Sequence, residues 1–283
     1  MRVLTADGEV SAVLRGRAKQ REEKVVAGDR VALESSATDW AIAAVEPRDN
    51  LLARRVPGGR RARPIAANLD QVVVTAATSD PTPVPQLLDR LLVLAEANSI
   101  PAVVVVNKLD LDPGDALIRR MRLAGYQVFP VCVKNGFGLD PLFGLLHTRV
   151  SVMTGPSGVG KSSLLNALQP GLRLRIGTVS ERVGRGRNVT VSAVMNPLDG
   201  GGFLVDTPGF SDVGLWGLEA RHLAHCFPEM RPLVEHCRFQ DCSHRTEPGC
   251  AVRGDVGGSV ADDRYQSYLA LLEELTNLPE EWE

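Results

Sequence analysis

Short apolar runs that alternate with polar positions fill the first 66 residues of the chain. The runs EVSAVLRG, DRVALES and WAIAAVEP are separated by turn formers such as Gly28-Asp29, and no long helical periodicity appears. Alternation with a period of two is typical of strands that bury one face. The pattern predicts a small antiparallel barrel or sandwich over residues 1–66.

Continuous apolar runs replace this alternation from NLDQVVVTAAT onward. They cover residues 72–77, 102–106, 150–154 and 203–205, and helix-like segments such as LLDRLLVLAEANS lie between them. Strands buried on both faces have this uninterrupted apolar character, and helices between them favour parallel pairing. The pattern predicts a doubly wound, mostly parallel α/β domain over residues 67–216.

The remaining part, residues 217–283, combines a stretch rich in Cys, His and Pro with one amphipathic helix. Within ADDRYQSYLALLEELTNL, one helical face is apolar and consists of Tyr265, Tyr268, Leu269, Leu272 and Leu275. We interpret this face as a packing surface. The Cys/His stretch before it holds few apolar residues.

Composition indicates a soluble protein, with 44% hydrophobic and 23% charged residues over 283 positions. The apolar runs are far too short to span a membrane, and the start MRVLTADGEV lacks the apolar core of a signal peptide. We therefore expect a cytoplasmic protein that does not bind a membrane.

Positive charge is concentrated near the N-terminus. Residues 1–66 carry 13 Lys and Arg against 9 Asp and Glu, whereas residues 217–283 carry 6 against 13. Five arginines fall within RRVPGGRRAR, residues 54–63. A loop this basic suits a nucleic-acid backbone, and a solvated surface loop is the alternative.

A glycine-rich loop follows the apolar run at residues 150–154. GPSGVGKS fits G-x-x-x-x-G-K-[ST] between a predicted strand and a predicted helix. Its backbone N–H groups would hold phosphates, Lys161 would reach the β- and γ-phosphates, and Ser162 would bind Mg²⁺. The predicted nucleotide contacts of the loop are Gly155, Pro156, Ser157, Gly158, Val159, Gly160, Lys161, Ser162 and Ser163.

A candidate base-reading motif, NKLD, follows the run of four valines that ends at Val106. The carboxylate of Asp110 can accept hydrogen bonds from N1–H and the 2-amino group of guanine, whereas adenine presents a lone pair at N1. Asn107 would contact the base edge, and the Lys108 stem would pack over the base plane. A polar turn at a strand end is the alternative for this motif alone.

A third motif, DTPG, occupies residues 206–209. Asp206 would hold Mg²⁺ through water, and Gly209 would offer its backbone N–H to the γ-phosphate. In the polar stretch before this motif, Thr190 is the candidate hydroxyl that senses both Mg²⁺ and the γ-phosphate. With Lys161, these residues form the predicted catalytic set.

The position after DTPG bears on the rate of hydrolysis. Many GTPases have a water-positioning Gln there, whereas this chain has Phe210, whose apolar side chain cannot orient water. We expect slow intrinsic hydrolysis that a partner accelerates. Arg185 and Arg187 are candidates for steadying transition-state charge or contacting RNA, with a solvated surface as the alternative.

A second site is predicted from Cys-x4-Cys-x-His-x5-Cys, which comprises Cys237, Cys242, His244 and Cys250. In a cytosolic chain such a cluster favours metal binding over disulfides. Three thiolates and one imidazole form a closed set that suits one structural Zn²⁺. Because this stretch has few apolar residues, we expect zinc to supply much of its folding free energy.

Two other functions remain as alternatives. The phosphate loop alone also suits a nucleoside monophosphate kinase, but NKLD and DTPG argue against it. An RNA-binding module with a vestigial nucleotide site is the second alternative. The intact Lys161, Ser162 and Asp206 argue against that interpretation.

The order of the motifs, with NKLD before GPSGVGKS and DTPG after it, is a circular permutation of the GTPase order. With the basic barrel before them and the Cys/His cluster after them, the chain resembles the ribosome small-subunit-dependent GTPases of the RsgA/YjeQ family. The resemblance includes VAGDRVAL, VEPRDNLLARR, IAANLDQVVV and RYQSYLALLEEL.

The resemblance implies an OB-fold RNA-binding domain over residues 1–66, a circularly permuted P-loop GTPase domain over residues 67–216 and a helical zinc-binding domain over residues 217–283. Members of that family bind GTP or GDP with Mg²⁺ and act in late maturation of the small (30S) ribosomal subunit. The implied partners are that subunit and its rRNA, which stimulate hydrolysis. We expect a monomer.

Two departures from the family pattern matter. Asn188 and Val189 stand where the family usually has histidine and threonine, so a catalytic role for that histidine does not carry over. The loop that the resemblance places behind the base, usually Ser-Ala-Lys-like, reads Cys132-Val133-Lys134. We expect it to contact the base mainly through its backbone.

Overall fold

The computed structural model describes residues 1–15, 24–35, 39–55, 62–170, 193–206, 215 and 218–277. Three sheets are present in this part of the chain. Thr190, Gly209, Phe210, Arg185 and Arg187 lie outside the described residues, as do Asn188 and Val189. No helix in the described ranges is both long enough and apolar enough to cross a membrane.

The N-terminal strands form a half-barrel with the order β1-β2-β4-β3, followed by a separate β5-β6 hairpin. Their bounds are β1 Arg2–Thr5, β2 Gly8–Leu14, β3 Val31–Ser35, β4 Trp40–Val45, β5 Leu51–Arg55 and β6 Ala62–Ala67. The predicted antiparallel pairing is present between β1 and β2 and between β3 and β4, whereas β2 and β4 run parallel. Strand β4 inserts between β2 and β3, and two chain reversals return it to the direction of β2.

The central sheet has six strands in the order β11-β12-β10-β7-β8-β9. Their bounds are β7 Gln71–Ala77, β8 Ala102–Asn107, β9 Gln127–Pro130, β10 Val150–Thr154, β11 Val194–Pro197 and β12 Phe203–Asp206. All pairs are parallel except that of the edge strand β11 with β12. The four apolar runs are β7, β8, β10 and β12, as predicted.

Helices cover both faces of this sheet, which confirms the doubly wound architecture. Their bounds are α1 Pro85–Ala97, α2 Asp115–Leu123, α3 Leu139–Leu146 and α4 Lys161–Leu168. The apolar residues of α1 and α2 pack on the face that carries Val72 and Val74. Those of α3 and α4 pack on the opposite face, with Val73. Successive side chains of β7 therefore point into two separate hydrophobic cores, one on each face of the sheet.

Short helices and one long helix form the C-terminal region. Their bounds are a 3₁₀ helix Ala220–Cys226, α5 Arg231–Val234, α6 Ala251–Gly254 and α7 Asp262–Thr276. Few apolar residues lie between Cys237 and Cys250, but Phe227, Met230, Val252 and Val260 on either side of that stretch are fully buried in the same core as α1. These residues are spread over short helices and loops, so they form no periodic pattern in the sequence.

Helix α7 packs against α1, as its amphipathic pattern suggests. Tyr265, Tyr268, Leu272 and Leu275 are buried, as the predicted face requires. Leu269 is only partly buried, and Leu271 lies in the core instead. The C-terminal region thereby shares one hydrophobic core with the central sheet.

Candidate functional site

The phosphate loop connects β10 to α4 and requires glycine at two close approaches. Gly155 has φ +144°, and a Cβ there would lie 2.1 Å from the Thr75 carbonyl oxygen. Gly160 has φ +93°, and a Cβ there would lie 2.4 Å from Nδ2 of Asn107. A side chain at either position would displace a neighbouring strand end or the loop itself. The loop backbone is therefore pressed against the ends of β7 and β8.

Lys161 begins α4 and folds over the loop. Its Nζ donates hydrogen bonds of 2.7 Å to the carbonyl oxygens of Gly155 and Pro156. Burial lowers the pKa of this ammonium. The charge of Lys161 is thus held directly above the loop, where a phosphate chain would find it. Ser162 and Ser163 follow on the same first turn and are exposed.

Asn107, the last residue of β8, ties three parts of the site together. Its Nδ2 donates to the Val159 carbonyl oxygen in the phosphate loop over 2.9 Å. Its Oδ1 accepts from the backbone N–H of Val133 over 3.4 Å. The side chain is 3% exposed. The sequence predicts that Asn107 contacts the base edge, whereas in the structure both ends of its amide are bonded to protein backbone.

Lys108 adopts a left-handed backbone conformation, with φ +68°. The Thr78 hydroxyl donates to the Lys108 carbonyl oxygen over 2.8 Å, and Nζ of Lys108 donates to the Asp80 carbonyl oxygen. The lysine stem is thereby stretched across the site from the end of β8 toward the segment after β7. This arrangement suits a stem that covers one face of a flat base.

Asp110 is the last residue of NKLD and lies between the side chains of Cys132 and Lys134, two residues of the loop predicted to lie behind the base. The Cys132 thiol donates to its Oδ1 over 3.4 Å, and the Lys134 ammonium lies 3.3 Å from its Oδ2. The hydrogen bond from Cys132, followed by that from Lys134, lowers the pKa of Asp110. The carboxylate is therefore charged at neutral pH, as an acceptor for guanine N–H groups must be.

A cavity of about 350 Å³ joins these motifs. This volume is within the range of small-ligand pockets. The lining residues are Asn107, Lys108, Asp110, Leu111, Val133, Lys134, Gly160 and Ser163. Seven of them are predicted nucleotide contacts. Sequence reasoning missed Leu111, although its place directly after NKLD could have indicated it.

Several predicted contacts lie outside the cavity lining. The Val159 and Cys132 side chains are each 1% exposed, so only the backbone of Val159 and the thiol bond of Cys132 reach the site. Ser157 and Gly158 are exposed on the loop, and Pro156 is partly buried. Asp206 is the last residue of β12. Thr190 and Gly209, from the predicted catalytic set, lie outside the described residues.

A second site lies in the C-terminal region, where the predicted metal ligands converge. The candidate ligand atoms of Cys237, Cys242, His244 and Cys250 all lie within 4.8 Å of one another. Nδ1 of His244 is 3.5 Å from the sulfurs of Cys237 and Cys250, and those sulfurs are 3.9 Å apart.

The donor set and its spacing fit zinc. Tetrahedral Zn²⁺ with bonds of about 2.3 Å to sulfur and 2.0–2.1 Å to nitrogen places sulfurs about 3.8 Å apart and nitrogen about 3.6 Å from sulfur. Burial, added to the nearby Cys250 and Cys237 thiols, raises the pKa of Cys242 to about 12. Three thiolates cannot persist together without a cation, and a bound Zn²⁺ supplies it.

Surrounding residues hold the ligand loop in place. The backbone N–H of Arg253 donates to Cys250 Sγ over 3.3 Å, and the Tyr265 hydroxyl donates to the His244 carbonyl oxygen over 2.7 Å. Tyr268 donates to the Ser243 carbonyl oxygen over 2.8 Å. Two tyrosines on the buried face of helix α7 therefore hold the backbone of the metal-binding loop by hydrogen bonds.

The phosphate loop and the NKLD segment lie at the carboxyl ends of β10 and β8, on either side of β7. Their closeness depends on strand order in the sheet, so the reversed order in the chain does not separate them. A sheet of this kind with this pair of motifs defines a circularly permuted P-loop GTPase.

Comparison with known proteins identifies the particular family. A sequence model described as RsgA GTPase matches residues 45–216. The chain is 50% identical to the "Small ribosomal subunit biogenesis GTPase RsgA" of Gemmatimonas aurantiaca over 285 residues, which cover 96% of this chain and 93% of the relative. It is 42% identical to the protein of the same name from Moorella thermoacetica, with 93% and 89% covered. This chain belongs to the RsgA GTPase family.

Solved structures agree with this assignment. The crystal structure of YjeQ from Thermotoga maritima has a TM-score of 0.79 and 34% identity, over 96% of this chain and 92% of that one. The crystal structure of YloQ, described as a circularly permuted GTPase, has a TM-score of 0.74 and 28% identity, over 95% and 88%.

Proposed function

We propose that this protein hydrolyses GTP in late maturation of the small ribosomal subunit, binding the subunit and its rRNA in the GTP-bound state. One observation carries the nucleotide part of the proposal: residues of NKLD and of the phosphate loop line a single cavity of about 350 Å³. Relatives named for small-subunit biogenesis, at up to 50% identity, support the ribosomal part.

The base would enter between the Lys108 stem and Leu111, with its Watson–Crick edge toward Asp110. The ionised carboxylate then accepts from N1–H and the 2-amino group, two charge-assisted hydrogen bonds that adenine cannot make. The neighbouring groups of Cys132 and Lys134 hold the carboxylate in this orientation. Selection for guanine is thus built into the outer end of the cavity.

The triphosphate would run along the loop toward α4. Lys161 would exchange its two carbonyl partners for β- and γ-phosphate oxygens, and loop N–H groups would point at the same oxygens. Bound Mg²⁺ would neutralise phosphate charge, held by Ser162 and, in this proposal, Thr190 and Asp206. Gly209 would offer its backbone N–H to the γ-phosphate.

Intrinsic hydrolysis is proposed to be slow, because Phe210 cannot orient an attacking water. The small subunit would complete the catalytic arrangement, as activating partners of other GTPases do by up to ~10⁵-fold. The protein would act as a monomer in the cytoplasm, since its substrate particle assembles there.

Contact with rRNA is supported by the surface of the metal-binding region. Phe239 is 41% exposed, and the Arg238 guanidinium carbon lies 5.5 Å from its ring centroid. Arg245 and Arg253 are also exposed. Exposed aromatic rings and guanidinium groups stack on unpaired bases and contact phosphates. The basic segment at residues 54–63 would add a second contact.

We propose a division into an OB-fold RNA-binding domain (residues 1–66), a permuted GTPase domain (67–216) and a zinc domain (217–283). The chain passes from DTPG directly into the zinc domain, so ordering of that segment by the γ-phosphate would tilt the zinc domain and favour rRNA binding. Equal affinity of the GTP and GDP forms for the subunit would contradict this coupling.

Phosphate release from GTP and ATP, with and without purified small subunits, tests the proposal. We expect phosphate release from GTP but not from ATP. The rate of release should be low for the isolated protein and many-fold higher when small subunits are present. Release from ATP at the same rate would indicate a different nucleotide function. RNA binding without any GTP hydrolysis would indicate a vestigial nucleotide site.

A further inference from the structure

Three charged side chains are buried together, with a fourth partly buried beside them, where the C-terminal region meets the helices that cover the GTPase sheet. Arg264 of α7 is 1% exposed, Asp89 of α1 is 0% exposed and Glu229 is 8% exposed. Nε and Nη2 of Arg264 donate to the two oxygens of Glu229 over 2.6 and 3.0 Å, and its Nη1 donates to Asp89 over 2.7 Å. Arg120 of α2 completes the group.

Arg120 joins this group to α2, the helix that follows the NKLD motif. Its Nη1 and Nη2 donate to the two oxygens of Asp89 over 2.9 and 2.6 Å, and its Nε donates to Asp263 of α7. Asp89 is therefore shared by two guanidinium groups from two different helices. We call Arg264, Asp89, Arg120 and Glu229 the buried ionic junction.

The junction has little freedom to rearrange. The Arg264 guanidinium carbon lies 4.6 Å from the centroid of the Phe227 ring, which packs on its face. Burial alone would raise the pKa of Asp89, but the hydrogen bond from Arg120 and the charges of both arginines outweigh it and lower that pKa. Removing one charge from such a group leaves another buried without a partner, which is strongly unfavourable.

Helix α2 directly follows residues 107–114, which contain NKLD and which we call the base-reading segment. The segment ends at Gly114, whose N–H donates to Oδ1 of Asp112 over 2.7 Å. A Cβ at Gly114 would lie 2.6 Å from Cγ2 of Thr78, so the start of α2 is wedged against the end of β7. A shift or tilt of α2 would consequently move residues 107–112.

We propose that Arg264 is a positioning residue for guanine recognition. Through Asp89 and Arg120 it fixes α2, and α2 fixes the segment that carries Asp110. Docking of the C-terminal region and binding of the base are therefore coupled. This inference rests on the proposed guanine-nucleotide function of the cavity.

The coupling differs from a γ-phosphate switch. It depends on contacts with the guanine base, which GTP and GDP share, so both nucleotides should have the same effect. The coupling therefore distinguishes a nucleotide-bound site from an empty one. Coupling free energies are reciprocal. A protein whose C-terminal region packs more stably on α1 and α2 should therefore bind guanine more tightly, and bound guanine should stabilise that packing.

Equilibrium titrations of the full-length protein with GDP and IDP test the proposal. IDP lacks the 2-amino group, so the ratio of the two affinities reports the contact with Asp110. The variant is Arg264→Lys, which retains the charge but lacks the planar guanidinium that pairs with both oxygens of Glu229 and also reaches Asp89. We expect the GDP preference over IDP to fall by about fivefold or more, a typical coupling factor.

Glu274→Gln provides the matched control. Arg90 and Glu274 also join α1 to α7, with two hydrogen bonds of 2.6 and 2.5 Å, and neither partner of this pair belongs to α2. We expect this variant to keep the wild-type GDP/IDP ratio. A folded R264K protein with an unchanged ratio, or an equal loss in both variants, would overturn the inference.

Hydrogen exchange of the wild-type protein gives an answer even where R264K does not fold. GDP should slow amide exchange in the first turns of α7 as well as in α2. Protection confined to the phosphate loop and the base-reading segment would contradict the coupling. A wild-type protein without any preference for GDP over IDP and ADP would instead refute the proposed function itself.

Discussion

The side-chain amide of Asn107 donates a hydrogen bond of 2.9 Å to the main-chain carbonyl of Val159. This single bond joins the end of the base-reading strand to the middle of the phosphate loop. The two motifs are 52 residues apart in the chain. One buried side chain therefore connects the loop directly to the base site.

Asn107→Ala should weaken binding of GTP and GDP equally. The substitution leaves the buried Val159 carbonyl without its partner, which costs about 1–3 kcal/mol. Nucleotide affinity should fall by about tenfold or more, since 1.4 kcal/mol corresponds to a factor of ten. Isothermal titration with GTP and GDP measures the change.

Asn98→Ala is the matched control for this substitution. Nδ2 of Asn98 also donates to a carbonyl oxygen, that of Leu94 over 2.7 Å, but this bond lies at the end of α1. Its nucleotide affinity should match the wild type. Equal losses in both variants would show that the effect is general destabilisation.

Asp110→Asn should exchange guanine for xanthine as the preferred base. The amide cannot accept two hydrogen bonds as the carboxylate does, but it can donate one to the 2-oxo group of xanthine. Two charge-assisted bonds of about 1.5–3 kcal/mol each are lost with GTP, so its affinity should fall by at least about a hundredfold. Competition of GTP, ATP and XTP against a fluorescent nucleotide measures this.

Asp112→Asn controls for charge in the same segment. Oδ1 of Asp112 accepts from Gly114 N–H, and an amide oxygen retains that bond. GTP affinity should change by less than about threefold, because an exposed charge contributes little. An Asp110→Asn protein that still prefers GTP to XTP would remove Asp110 from base recognition.

The parallel sheet was predictable from sequence because its strands are buried on both faces. The runs at residues 72–77 and 102–106 are apolar at every position except Thr75, which is itself fully buried. The zinc ligands were predictable for a different reason: the coordination chemistry restricts both residue type and spacing. Such local constraints leave a signal in the chain itself.

The buried ionic junction was not predictable in this way. Asp89 lies within an apolar helix, so its burial could have been suspected, but its partners Arg120 and Arg264 are 31 and 175 positions away. No local spacing specifies such pairs, since they exist only once α1, α2 and α7 have packed. The inward-facing amide of Asn107 was missed for the same reason, because its partner is set by strand order.

Cys250→Ala should abolish metal binding and destabilise the C-terminal region. Removing one of four ligands opens the site, and much of the zinc binding free energy is also folding free energy. The purified variant should hold less than about a tenth of the zinc of the wild type. Atomic absorption gives the zinc content, and thermal denaturation gives the loss of stability.

Cys226→Ala distinguishes the metal effect from the loss of a buried thiol. Cys226 is 5% exposed and lies outside the ligand cluster. This variant should keep one zinc per chain and lose only the modest stability of a small cavity, about 1 kcal/mol. A Cys250→Ala protein with a full zinc content would contradict the assigned ligand set.

Glu247→Gln should destabilise the protein at neutral pH and much less in acid. The Glu247 carboxylate accepts from the Ser243 hydroxyl over 2.5 Å and from the backbone N–H groups of Ser243, Arg245 and Thr246. Burial alone would raise the pKa of Glu247, but these hydrogen bonds outweigh it and lower the pKa to about 2.

A folded-state pKa below the unfolded value of 4.5 stabilises the protein above pH 4.5, and this contribution is lost as the pH falls toward 2. The difference in melting temperature between wild type and E247Q should therefore be constant from pH 7 to about 5 and then shrink. Zinc release in acid affects both proteins, so the zinc content of each is measured at every pH and the melting temperatures are compared at equal zinc content. Glu235→Gln, at an exposed glutamate of the same region, should melt with the wild type throughout. A wild-type advantage over E247Q that persists undiminished at pH 3 would show that the carboxylate charge does not hold the metal-binding loop.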